Sequence, residues 1–201
     1  MTVSRTEPEH ESTDVRTAPD SGLLVVRLLH HVTPELAEAV WQVHEEAFAE
    51  FADKSAFLTP ADKAEWDGYM VDESVLKVIA WVDGEVAGFM LIATDLGTVH
   101  WVDERFYARK YPGRKVIYVT YTAVSEAYRH PRVLKGLFET GLDWATERNA
   151  VVGFDSCSHN VERRFVDLIA RITRRYVGDE PEEVSSLHFF TFDSAGRHSA
   201  S

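Results

Sequence analysis

The chain has 201 residues, of which 21 are lysine or arginine and 33 are aspartate or glutamate, so its net charge is -12. Apolar residues make up 45% of it, as in an ordinary globular protein. This length fits one domain and supplies a core that needs no metal or disulfide staple. The single cysteine, Cys157, excludes an intramolecular disulfide and favours a reducing, cytoplasmic location.

Charge and apolar runs also exclude classes of partner. A strongly negative protein repels phosphate, so we expect no nucleic-acid partner. The longest apolar run, Val86 to Ala93, is far shorter than the roughly 20 residues that a membrane helix needs. Residues 1–20 are polar and lack the apolar core of a signal peptide. Residues 129–175 carry a net charge of +3 and the remainder -15, which indicates either a local anionic ligand or solvated arginine-rich helix faces.

The first part of the chain predicts an arm, a strand and two helices. Residues 1–21 are polar and are predicted to form a disordered arm. An apolar run predicts a strand over Leu23–Leu29, and Thr33-Pro34 predicts the start of a helix. The segment Thr59–Asp62 resembles a capping box, so we expect it to begin a second helix that ends near residue 70.

The rest of the chain predicts a mixed sheet. Asp83-Gly84 lies between two β-rich runs and predicts a two-residue hairpin turn, because both residues tolerate positive φ. After an irregular insert over residues 95–114, the pattern predicts alternating strands and helices over Lys115–Val124, Pro131–Arg148, Val151–Cys157, Asn160–Thr173 and Val184–Phe192. Strand–helix–strand units imply parallel pairing. The fold class is therefore α/β (α+β), a mixed central sheet with helices on both faces, in one domain over 22–193 followed by a disordered tail over 194–201.

Polar side chains recur along the predicted central strand. Strict alternation puts Tyr118, Thr120, Thr122 and Val124 on one face. Buried polar groups need partners, so these residues either line a pocket wall or bond to neighbouring backbone.

Several titratable residues are candidates for chemistry. Asp155 and His159 share a face of the next strand, where Asp155 either handles an amine or is a structural acceptor. His159 is either an acid–base group or a helix cap. His100 and Glu104, in the insert, belong either to a substrate-binding loop or to a satellite core. The histidines show no recognised metal-ligand spacing, so no metal is predicted.

The element order over residues 22–193 and the segment 124–134 resemble the GNAT superfamily of N-acetyltransferases. In that family a central strand ends in Val, an Arg or Gln follows, and glycines at alternate positions then expose amides that hold the pyrophosphate of acyl-CoA. Val124 and Arg129 match this pattern, and Asn160 matches an Asn near the pantetheine arm. The resemblance implies a GNAT-like fold with acetyl-CoA or another acyl-CoA as co-substrate, and an oxyanion donor from backbone around residues 123–125.

The same segment departs from the family at the glycine positions, which are occupied here by His130, Arg132 and Leu134. Pro131 also removes one amide donor. In one interpretation, the guanidinium groups of Arg129 and Arg132 replace the lost amides. In the other, the loop does not hold CoA, and the acyl group comes from an acyl carrier protein or the protein only binds a ligand.

These observations predict an acyltransferase that moves an acetyl or other acyl group from a thioester to the amine of a small molecule. Tyr118, Asp155 or His159 would handle protons, and Thr120 and Thr122 would contact the substrate. The alternatives are a catalytically silent GNAT-fold binding or regulatory module and a different reaction on the same scaffold.

Overall fold

A computed structural model describes residues 13–17, 22–49, 61–174, 176 and 181–186. These residues form a single six-stranded sheet in the order β1-β2-β3-β4-β5-β6. The strands are β1 (Thr13–Thr17), β2 (Leu23–Leu29), β3 (Val75–Val82), β4 (Glu85–Ala93), β5 (Val116–Val124) and β6 (Val151–Phe154). The helices are α1 (Pro34–Ala49), α2 (Lys63–Val71), α3 (Glu104–Lys110), α4 (Pro131–Glu147), α5 (Ser158–Glu162) and α6 (Phe165–Thr173). Neighbouring strands are antiparallel except β5 and β6, which are parallel, so the predicted mixed sheet is confirmed.

The sheet is covered on both faces. On one face α4 packs over residues such as Met90 and Ile92, and Ile169 of α6 joins the same cluster. On the other face α1 and α2 pack over Phe89 and Leu91. Alternation along β4 therefore sends successive apolar side chains into two separate cores, which explains why this strand is apolar throughout.

The predicted hairpin turn is confirmed, and α4 ends within one residue of its predicted boundary at Arg148. Asp83 and Gly84 join β3 to β4 with φ angles of 51° and 91°, as a two-residue hairpin turn requires. Asn149 follows α4 with φ of 49°, the left-handed conformation that commonly ends a helix.

Two predictions near the start of the chain need correction. Thr13–Thr17 was expected to lie in a disordered arm, but it pairs with β2 as an antiparallel edge strand. Backbone hydrogen bonds to the outer edge of β2 form this strand, and a search for apolar runs does not detect such pairing. The second helix is capped by Asp62, whose carboxylate accepts from the Glu65 N–H at 2.9 Å, so its N-cap lies three residues after Thr59, the first residue of the predicted capping box. Thr59 lies outside the described residues.

The end of the described chain differs from the prediction in three ways. β6 stops at Phe154, three residues earlier than expected. The predicted helix over Asn160–Thr173 is broken into α5 and α6, because Arg164 adopts a left-handed conformation with φ of 61°. The predicted strand Val184–Phe192 is not seen at residues 184–186, and its other residues lie outside the described part. No helix in the described ranges has the length and apolar character needed to cross a membrane.

A β-bulge in β5 corrects the predicted polar face. Leu91 of β4 is opposite Tyr121 and Ile92 is opposite Val119, so Thr120 is an extra residue. The bulge reverses the alternation. Tyr118 lies on the α1 and α2 side with Ala93, whereas Thr122 is opposite Met90 on the α4 side. The four residues predicted to share one face are therefore divided between the two.

Candidate active site

The two parallel strands, β5 and β6, separate after four paired positions. β5 and β6 pair only from Val116 opposite Val151 to Val119 opposite Phe154. β5 continues beyond this point along β4 as far as Val124. Thr120–Val124 therefore has β4 on one side and, among the described residues, no strand on the other. We call this second side the open edge.

Backbone alternation fixes which amides face the open edge. The Ser125 N–H donates to the Ala87 carbonyl at 3.0 Å, across the pair of β4 and β5. In an antiparallel pair, successive residues point their N–H and C=O groups to opposite sides. The N–H groups of Thr122 and Val124 consequently point away from β4, toward the open edge. An extended ligand that contains amides can bind such an edge as an added strand does.

Asp155, directly after β6, is the most distinctive ionisable group at the point of separation. Its Oδ1 accepts hydrogen bonds from the Tyr118 hydroxyl at 3.0 Å and from the Trp101 indole N–H at 3.2 Å. Its Oδ2 accepts none from the described residues, and the residue remains accessible to solvent. Burial among neighbouring atoms raises the pKa of Asp155, although both hydrogen bonds act in the opposite direction. The result is a carboxylate that is held in place and is more basic than an ordinary aspartate.

The position of Tyr118 depends on a glycine. Gly153 is opposite Tyr118 in the parallel register, and a Cβ on it would come within 2.7 Å of the Tyr118 ring. Only glycine lets this ring pass over β6 and bring its hydroxyl to Asp155. Burial raises the pKa of Tyr118 well above its usual range, so the hydroxyl stays protonated and acts as a donor. Tyr107 of α3 packs edge-on against the same ring, with centroids 6.4 Å apart.

The turn between β5 and α4, residues 125–130, is the segment predicted to meet the donor's phosphates. The side chain of His130 caps α4, and its Nδ1 accepts from the Arg132 N–H at 3.2 Å. The Val133 N–H donates to the His130 carbonyl at 3.0 Å. The Arg132 side chain extends to the start of β2 and donates to the Gly22 carbonyl at 3.4 Å. Arg129 is exposed at the end of the turn.

A carboxylate from α1 also binds this turn. Glu46 Oε1 accepts from the Glu126 N–H, and its Oε2 accepts from the Ser125 hydroxyl, both at 3.0 Å. Neither contact was predicted, because the residues are separated by about 80 positions in the sequence and no short motif links them.

The other predicted site residues are more dispersed. Thr120 donates to the Leu91 carbonyl at 3.4 Å, and the buried Thr122 hydroxyl has no hydrogen-bond partner among the described residues. His100 and Glu104 are exposed in the insert. Asn160 is half-buried in α5, where its N–H donates to the Cys157 carbonyl at 3.0 Å, and the side chain of His159 lies outside the described part.

The structure thus brings together one predicted pair, Tyr118 and Asp155, and adds Trp101, Tyr107 and Gly153. The sequence predicts an irregular insert over residues 95–114, but no local pattern matches the aromatic rings of that insert to β5 and β6. Within the described residues, no group of three histidine, cysteine or carboxylate side chains is arranged to hold a metal ion.

Comparisons with known proteins agree with this architecture. No protein-family model and no curated protein sequence matches the chain. Solved structures do match. An aminoglycoside acetyltransferase from an uncultured soil metagenomic sample is 15% identical, with a TM-score of 0.53 over 85% of this chain and 97% of that chain. A ribosomal-protein-alanine N-acetyltransferase from Brucella melitensis biovar Abortus 2308 is 15% identical, with a TM-score of 0.52 over 85% and 99%. An N-acyl amino acid synthase from uncultured soil microbes is 14% identical, with a TM-score of 0.54 over 70% and 75%.

All three solved proteins transfer acyl groups to amines according to their names. The protein described here has the fold of the GNAT superfamily, as its sequence resemblance predicted.

Proposed function

We propose that the protein transfers an acyl group from a thioester donor to the amine of a small molecule. The observation that carries this proposal is the position of Asp155, a basic carboxylate with an available oxygen, where β5 and β6 separate. The similar acetyltransferases and the N-acyl amino acid synthase support the reaction class. The acceptor's identity is a separate question, and the net charge of -12 favours a cationic amine.

The proposed chemistry needs a base, an oxyanion donor and a leaving thiolate. Asp155 Oδ2 takes a proton from the ammonium form of the acceptor, and the neutral nitrogen attacks the thioester carbonyl carbon. The new C–N bond forms, and the carbonyl electrons move to oxygen, where the Val124 N–H donates a hydrogen bond. The C–S bond then breaks, and the thiolate leaves with the second proton lost by the amine nitrogen. Tyr118 holds the carboxylate throughout through its hydrogen bond to Oδ1.

The other predicted residues have secondary roles in this proposal. Asn160 lies near the donor arm, and His159 is a second candidate for proton transfer. His100 and Glu104 belong to the acceptor side, together with the aromatic insert. Arg129 and Arg132 are the cations of the turn that meets the anionic part of the donor, which is an acyl-CoA or an acyl carrier protein. The buried thiol of Cys157 fits a reducing cytoplasm, where it stays unmodified.

A turnover assay with a matched pair of variants tests the proposal. Purified protein is incubated with an acetyl thioester and a panel of polyamines and aminoglycosides, and acetylated amines are detected by mass spectrometry. Asp155→Asn keeps the shape of the side chain but removes the base, so we expect the rate to fall by about 10²-fold or more. Asp143→Asn, at an exposed position of α4, is the control and should keep full activity.

Two outcomes would contradict the proposal. Equal rates for Asp155→Asn and Asp143→Asn would remove Asp155 from the reaction. Donor binding in calorimetry without turnover of any amine would favour the alternative of a catalytically silent binding module. The occupied amides of the β5–α4 turn are the structural feature that agrees with that alternative, because they depart from the donor-binding turn that the resemblance implies.

A further inference from the structure

The hydrogen-bond donors at the start of α4 are already used within the protein. Pro131 has no N–H, the Arg132 N–H is bound by His130 Nδ1, and the Val133 N–H is bound by the His130 carbonyl. A helix N-terminus binds phosphate because its first amides lack partners. The first three positions of α4 offer no such amide, so the pyrophosphate of CoA does not fit this turn in the way that the resemblance implies.

Charge at the same turn acts against a polyanion. The Glu46 carboxylate accepts the Glu126 N–H, and the side chain of Glu126 adds a second negative charge on the exposed surface. Arg132 directs its guanidinium to the Gly22 carbonyl at the start of β2. Arg129 provides one positive charge at the exposed end of the turn. This arrangement suits one phosphate better than the several phosphates of CoA.

The open edge of β5, in contrast, is suited to the other half of the donor. The N–H groups of Thr122 and Val124 face an edge that no described strand occupies. In the proposed reaction the Val124 N–H meets the thioester carbonyl, so the Thr122 N–H is the donor left for the arm. A pantetheine arm carries two amides in an extended chain, so it can bind there as a short added strand with its thioester beside Val124.

We propose that recognition of the acyl donor ends at its phosphopantetheine arm, and that the nucleotide of CoA contributes no binding. This inference rests on the proposed acyl transfer and makes it more specific. The shared chemistry of the donor is a phosphopantetheine thioester, carried either by CoA or by the serine of an acyl carrier protein. Selectivity for a donor then comes from the arm and the acyl group.

Three donors with the same acetyl group distinguish the cases. The kcat/KM values are measured for acetyl-phosphopantetheine, acetyl-CoA and an acetylated carrier protein with one common amine. We expect acetyl-phosphopantetheine and acetyl-CoA to agree within about threefold. If CoA is the source of the arm, the carrier gives a value equal to or below that of acetyl-CoA, since its arm and acetyl group are the same. A value for the carrier more than about tenfold above that of acetyl-phosphopantetheine would show recognition of the carrier protein beyond the arm, and would overturn the inference.

A preference of about 100-fold or more for acetyl-CoA over acetyl-phosphopantetheine would overturn the inference and leave acyl transfer intact, since two charge-assisted hydrogen bonds to pyrophosphate give at least that factor. Absence of product from all three donors would instead remove the proposed function, and this inference with it.

A pair of variants at His130 tests, by measuring CoA affinity without any reaction, whether the His130 cap keeps the pyrophosphate of CoA from the start of α4. Asn is a strong helix cap, so His130→Asn keeps the Arg132 N–H occupied, whereas His130→Gly releases it at little cost to the helix. Calorimetry with CoA should show about tenfold tighter binding for His130→Gly than for His130→Asn, the factor expected for one regained charge-assisted hydrogen bond. Equal CoA affinities in the two variants would show that the His130 cap does not close the turn, and would overturn the inference.

Discussion

Replacing Tyr118 by Phe isolates the hydrogen bond that tunes Asp155. Phe keeps the ring that passes over Gly153, and only the O–H donor at 3.0 Å from Asp155 Oδ1 is lost. That bond favours the charged carboxylate, so its removal raises the pKa of Asp155. A hydrogen bond to a charged group contributes about 1.5–3 kcal/mol, and one pKa unit corresponds to about 1.4 kcal/mol. Solvent at the cleft and the remaining Trp101 bond reduce the effect, so we expect a shift of about one unit.

The assay is the pH dependence of kcat/KM. Asp155 works as a base only when it is deprotonated, so the acidic limb of the profile should move to higher pH by about one unit in Tyr118→Phe. Trp101→Phe removes the other donor to Oδ1 and should move the limb in the same direction. Tyr107→Phe, which removes a neighbouring hydroxyl that does not bond to Asp155, should leave it in place. An acidic limb that stays fixed or moves to lower pH in Tyr118→Phe would refute the assignment of Asp155 as the base.

Three further substitutions test other parts of the account. His44 is 1% exposed among aromatic rings, neither ring nitrogen has a hydrogen-bond partner among the described residues, and burial lowers its pKa to about 4. Folding therefore favours neutral His44. Its contribution to stability is complete above the unfolded pKa of about 6.5 and is lost progressively as the pH falls from 6.5 to the folded pKa of about 4. Urea unfolding at pH 8 and pH 5 should show a loss of about 2 kcal/mol in wild type that is absent in His44→Phe, and an equal loss in both would contradict this. Gly153→Ala places a Cβ within 2.7 Å of the Tyr118 ring, so the ring must shift, and we expect a drop in kcat of about tenfold or more with an altered pH profile. Unchanged kinetics would show that the ring's position is unimportant. Gly88→Ala brings a Cβ within 2.8 Å of the Ala123 carbonyl, so we expect weaker donor binding in calorimetry together with lower stability, of about 1–3 kcal/mol, in urea unfolding. Wild-type values for both would mean that the end of β5 adapts without cost.

The sequence predicted the turns and helix ends whose conformation depends on one or two neighbouring residues. The Asp83-Gly84 turn and the helix that begins at Pro131 depend on the conformational preferences of one or two residues, and both are present. The bulge at Thr120 was missed because strict alternation contains no sign of an inserted residue. The edge strand β1 depends on a free sheet edge elsewhere in the chain, which no local pattern records.

In the candidate site, too, the contacts between distant parts of the chain could not be predicted from the sequence. Tyr118 and Asp155 were selected separately from their positions on two strands, but their hydrogen bond joins residues 37 positions apart. Trp101 is 54 positions from Asp155, and its contact depends on how the insert packs over β5 and β6. The His130 cap was the opposite case. All of its residues lie in one short segment, yet the sequence did not show that the His130 imidazole accepts the Arg132 N–H and so occupies an amide of the predicted phosphate site.

The central claim is that the donor binds along the open edge of β5, beside Asp155. Residue-resolved amide hydrogen exchange by NMR tests it most directly, with and without a ketone analogue of acetyl-phosphopantetheine in which CH₂ replaces sulfur. We predict that the ligand slows exchange at Thr122 and Val124, while amides of β5 already paired with β6 are unchanged. If the analogue binds by calorimetry and exchange slows elsewhere but not at these two amides, the donor site is wrongly placed.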